Sequence, residues 1–175
     1  MTELGWLKEL VRFEQDLEES GMVDFSAGFD PNKELIIQSV RFMNQVKEEF
    51  VDAAATFNEL KGGAVGGIKI YGISNTQADF MLFRNGYKLI FELDEPGKIC
   101  IRPRHQGVSI VPGTEAAQNT TDTYAKEDDE LIATWGPFGE VRWTYKKQAI
   151  NLEFLIRYYI STVSYTHLRA HETYD

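Results

Sequence analysis

The chain holds a single cysteine, Cys100, among its 175 residues. It therefore forms no internal disulfide, and nothing in the composition calls for an oxidising compartment. No apolar run approaches the ~18 residues of a membrane span, and residues 1–10 carry no apolar signal-peptide core. Histidine is scarce, with three residues, and excess positive charge is absent: the formal net charge is −9. An acidic surface repels phosphate backbones and anionic lipid, so neither nucleic acid nor a membrane is an expected partner. The apolar fraction of 43% and charged fraction of 26% suit a packed globular chain and exclude a disordered one. The expectation is one soluble, cytoplasmic, acidic domain.

The negative charge is concentrated at one end. Residues 1–60 hold thirteen acids against five Lys/Arg, and residues 61–162 hold twelve of each. The first segment reads as helical and acidic, with the solvated faces of its helices carrying Glu and Asp. The same surface would also suit a basic partner.

The last residues ask for separate treatment. Val163–Thr173 reads Val-Ser-Tyr-Thr-His-Leu-Arg-Ala-His-Glu-Thr, which is similar to the one-frame translation of a sequencing-library adapter. The match runs over eleven consecutive residues, and on it residues 163–175 are expected to be non-native and dispensable, with the native C-terminus missing. His167 and His171 stand four apart, a spacing that sets two imidazoles on one helix face as in a zinc site. Their place inside the adapter-like segment removes that reading, and no metal or cofactor is expected.

Helix and strand signals order the rest. Leu4, Leu7, Val11 and Leu17 recur at helical spacing behind Thr2, with Trp6, Leu10 and Phe13 widening the stripe and Gly21 as a stop. Asp30-Pro31 reads as cap and first residue of a long helix, Pro31–Lys61. Its apolar seam is Ile36, Val40, Met43, Val46, Phe50, Ala53, Phe57 and Leu60, close to a heptad. Leu35, Ile37, Phe42 and Val51 lie off that seam, so the helix asks for cover on more than one side. The first helix and a sheet supply it on one reading. On the other, a second copy or a partner helix does, through Ile36, Val40, Met43, Val46, Phe50 and Phe57.

Beyond a Gly62–Gly67 cluster the period changes from helical to alternating. Strands are predicted over 68–73, 79–84, 87–93, 98–102, 130–135 and 141–145, with a further short strand at 107–111. Asn85-Gly86 is the strongest hairpin signal and sets Leu82 opposite Leu89 and Phe80 opposite Phe91. Residues 114–129 are polar and read as a mobile loop or insertion. Asn151 caps a last helix rich in apolar residues, with Ile150 and Leu155 placed as a staple. The order implies an α+β two-layer domain: an N-terminal helix, a long second helix, an antiparallel meander of five or six strands and a C-terminal helix. Residues 1–61 and 62–162 belong to the same domain.

Candidate chemistry is thin. The glycine cluster follows a helix and precedes a strand, the reverse of a phosphate loop, and no Gly-Lys-Ser/Thr accompanies it. Ser74 lies in a near miss to a nucleophile elbow, but a second strand follows where a helix is needed. Cys100 lies mid-strand and reads as a buried thiol. Glu127-Asp128-Asp129-Glu130 lacks the spaced ligands of a calcium loop. Arg102, Arg104 and His105 form a basic cluster suited to an anion or carboxylate, or else to the balancing of nearby acids. Trp135, Phe138, Trp143 and Tyr145 surround the Gly136-Pro137-Phe138-Gly139 turn, where an aromatic tip would serve recognition. No nucleophile, base and orienter come together. The sequence thus points to a non-catalytic interaction or regulatory domain that dimerises or docks a protein through the long helix. The alternative is a small-molecule binder with a pocket between the sheet and the C-terminal helix.

Overall fold

The computed structural model describes residues 4–20, 30–63, 65–105 and 128–172, with side chains throughout except at residues 20 and 165–172. The expected strand at 107–111 and nearly all of the polar stretch 114–129 lie outside the described residues. Helix α1 spans Gly5–Ser20 and α2 spans Pro31–Lys61. Both ends of α2 follow from local chemistry. Asp30 is extended, and its carboxylate accepts from the Asn32 and Lys33 amides at 3.1 and 3.4 Å. Pro31 fits the first helical position because its missing N–H has no helical partner there. Gly62 takes the left-handed conformation, φ 69°, and donates to the Asn58 carbonyl at 3.1 Å.

Seven strands in the described residues form one antiparallel sheet in chain order: β1 Lys69–Gly72, β2 Phe80–Arg84, β3 Tyr87–Glu95, β4 Lys98–His105, β5 Asp129–Trp135, β6 Val141–Tyr145 and β7 Gln148–Ala149. Helix α3, Leu152–Glu172, closes the chain. The class is α+β as expected, with seven strands where five or six were anticipated. The added strand is β7. It pairs with β6 through a two-residue turn in which Lys146 and Lys147 both have positive φ, 49° and 66°. The Asn85-Gly86 hairpin has the register its turn dictates, with Leu82 opposite Leu89 and Phe80 opposite Phe91.

Alternation along the strands sends Phe80, Leu82, Leu89, Phe91, Ile99, Ile101 and Leu131 to one face, where all are buried. Helix α2 covers that face with Met43, Val46, Phe50 and Ala54, and α3 with Leu155, Ile156, Tyr159 and Val163. Phe80 and Phe91 stack at 4.7 Å between ring centroids, with Phe50 tilted 5.1 Å from Phe91 and Tyr159 edge-on at 5.6 Å. Polar ties fix the layers. The buried Ser39 hydroxyl of α2 accepts from the Gly97 amide in the β3–β4 turn at 2.9 Å. Asn58 near the end of α2 uses its amide twice, donating to the Ile68 carbonyl at 2.9 Å and accepting from the Ile68 amide at 2.8 Å.

Two sequence expectations are corrected by this packing. Met43, Val46 and Phe50 of the proposed interface seam belong to the domain's own core, because that side of α2 faces the sheet. Phe42, read as off the seam, stacks on Trp143 at 4.8 Å. Val163, assigned to the dispensable tail, is 1% exposed. It continues the three- and four-residue steps of Ile156 and Tyr159 along the buried side of α3, so the core reaches past the expected boundary.

Candidate interaction surface

The basic cluster predicted near the end of β4 is divided by the pleat. Arg102 and Arg104 share the sheet face turned away from the helices, and His105 alternates to the other, where its ring lies 6.2 Å from that of Tyr87. Arg102 Nη1 reaches Glu92 at 2.9 Å. Its Nε lies 3.4 Å from Asp128, near enough for attraction but not aligned as a hydrogen bond. Arg104 Nη1 lies 3.3 Å from the same Asp128. These arginines balance acids. Cys100 lies on their face and is buried, which raises its thiol pKa. His105, on the opposite face, is out of reach as its base.

The aromatic group is divided as well. Trp143 is buried against Phe42, whereas Trp135 is partly exposed and Phe138 is 95% exposed at the turn tip. The tip is braced by Glu140. Its carboxylate accepts from the Phe138 amide at 2.9 Å and from Arg142 at 2.8 Å, and a Cβ at Gly136 would collide with it. Backbone N–H donors pull the Glu140 pKa below the usual carboxylate value. Tyr145 serves a different purpose. Its hydroxyl and that of Tyr159 each donate to one Asp129 oxygen, at 2.9 and 2.7 Å. The Asp129 carboxylate raises the pKa of Tyr145, and burial followed by the same carboxylate raises that of Tyr159. Asp129 thereby joins β5, β6 and α3, a role that no motif announces, since the two tyrosines stand 16 and 30 residues away.

Between sheet and α3 the rings of Phe91 and Tyr159 meet edge-on beside Leu155, Ile156 and Val163. The two described concavities are open and lie on the surface. One, of about 570 Å³, runs between the 128–130 acids and Lys146–Lys147. The other, of about 850 Å³, follows the outer side of α2 past Ile36, Ile37, Val40, Arg41 and Glu48 to Gln77. Ile36 and Ile37 are each 40% exposed and Val51 is 45% exposed. Val40 and Phe57 are half-buried and pack beside the core. Ile37, Asn44 and Val51 recur at seven-residue steps, so they form one outward stripe that the eight-residue seam did not include. Trp6, Leu7, Leu10 and Val11 of α1 are also exposed.

Among the described residues no group of three metal-ligating side chains comes together, and no helix is long and apolar enough to cross a membrane. Comparison of the chain with protein-family models, characterised proteins and solved structures finds no match.

Proposed function

We propose that the chain is a non-catalytic interaction domain that pairs with a second copy of itself through the outer side of α2. The observation that carries this reading is the stripe Ile37–Asn44–Val51, exposed above a core that is already filled. Its pattern is self-complementary. A two-fold axis at Asn44 sets Ile37 of one copy opposite Val51 of the other and draws Arg41 toward Glu48, because both pairs are nearly centred on that residue. Two-fold pairing is the commonest solution for a single exposed patch, and a polar Asn at the centre of an apolar stripe fixes register. Sedimentation equilibrium tests the reading. The unmodified protein should show a concentration-dependent dimer, and the Ile37→Glu, Val51→Glu double variant a folded monomer. A monomer at millimolar concentration in the unmodified protein would overturn it.

A further inference from the structure

Arg84 is the most buried charged side chain described, at 3% exposure. Burial without a facing acid sets it apart from several cations of the sheet and α3. Arg102 and Arg104 face Glu92 and Asp128, Arg142 faces Glu140, Lys98 faces Asp94 and Glu130, and Arg157 faces Glu153. No carboxylate faces Arg84 among the described residues, in a chain with 27 acids. Buried charges are ordinarily paired, because an unpaired ion loses its hydration without replacement.

The surroundings of Arg84 are specific. Its Nε donates to the Gly66 carbonyl at 2.8 Å, and its guanidinium carbon lies 4.9 Å from the centre of the Phe57 ring. Nη1 is buried and has no hydrogen-bond partner. A second cation converges on the same carbonyl: Lys61 Nζ lies 3.5 Å from Gly66 O. Gly66 has φ 82°, and a Cβ there would stand 3.0 Å from Lys61 Nζ, so glycine lets the backbone sit between the two charges. The carbonyl end of α2 contributes about half a negative charge, against two whole positive ones. The corner is left with net positive charge and a free donor.

We propose that Lys61 and Arg84 form a binding site for a phosphate group or a similar tetrahedral oxyanion. With Nε held by Gly66, Nη1 is the guanidinium donor left without a partner and so the one that an oxyanion would satisfy. Lys61, exposed at the rim, supplies the second charge. Two uncompensated cations select a doubly charged anion over a single carboxylate. The site differs from a phosphate loop in that side chains rather than helix N-terminal amides hold the anion. It lies at the opposite end of α2 from Ile36 and Ile37 and does not depend on pairing.

Thermal unfolding in inorganic phosphate, sulfate, acetate and chloride at matched ionic strength tests this. Phosphate and sulfate should raise the midpoint saturably, acetate and chloride should not, and Lys61→Ala should weaken phosphate binding about ten-fold. Arg84→Gln should abolish it. Should that variant fail to fold, Lys61→Ala alone decides, since its exposed side chain has no part in the core. Equal shifts in all four salts, or phosphate affinity unchanged by Lys61→Ala, would overturn the site.

Discussion

Two turns of the same geometry are made from opposite chemistries. Asn85 and Gly86 have φ 48° and 79°, and Lys146 and Lys147 have φ 49° and 66°. Both are the left-handed pairs that tight hairpins need, but only the first uses residues that adopt the conformation readily. Gly86→Val should therefore destabilise by about 1 kcal/mol or more, and replacing Lys146-Lys147 with Asn-Gly should stabilise by a similar amount. Guanidinium unfolding midpoints check both, and a neutral result at Gly86 would contradict the turn. Glu140 adds a pH dependence. Its folded pKa lies below the ordinary value of 4.5, so the unfolded chain takes up its proton first as pH falls. The stabilisation is complete above that ordinary value and disappears as pH drops through the folded one. The difference in melting temperature between the unmodified protein and Glu140→Gln should shrink on acidification through that window and stay constant above it.

Elements were legible in the sequence wherever one local rule governed them. Asp30-Pro31 and Gly62 bound α2 as capping chemistry requires, and Asn85-Gly86 fixed the β2–β3 register. What the sequence did not disclose depends on partners far along the chain. Nothing local tells which side of α2 meets the sheet, and a heptad seam suits cover by a sheet as well as by a partner; Met43, Val46 and Phe50 are the domain's own core. Turn chemistry did not reveal β7, because a lysine pair carries no hairpin signal. Parity along β4 separated His105 from its arginine neighbours, and the Asp129 tie needed α3 brought beside β5 and β6. The buried Arg84 likewise gave no signal, since its Gly66 partner stands 18 residues away. Helix α3 carries a test of its own. Ending the chain after Thr162 removes Val163 from the core and should cost roughly 1.5–3 kcal/mol, the worth of burying such a side chain. Ending it after Ser164 should restore most of that. Equal melting temperatures for the two truncations would show that Val163 contributes nothing.

For the whole molecule, magnitudes decide how strong self-association can be. Full burial of an aliphatic side chain contributes roughly 1.5–3 kcal/mol, and Ile36, Ile37 and Val51 have about two fifths of theirs still to bury. Each adds about 1 kcal/mol, and the six side chains of a symmetric pair about 6 kcal/mol in all. Association costs roughly 4–15 kcal/mol in lost freedom before any contact is counted. The outer stripe of α2 therefore supports at most a weak dimer, with a Kd no tighter than about millimolar. A tighter pair needs more apolar surface, and α1 offers it in Trp6, Leu10 and Val11, all exposed. Two variants separate these cases. Ile37→Glu with Val51→Glu should remove association in either. Leu10→Glu with Val11→Glu should weaken it only if α1 joins the interface, while leaving the melting temperature of the monomer unchanged because neither side chain is in the core. A micromolar dimer that tolerates the α1 variant would mean that the α2 stripe buries far more surface than Ile36, Ile37 and Val51 expose, and the two-fold arrangement about Asn44 would have to be abandoned.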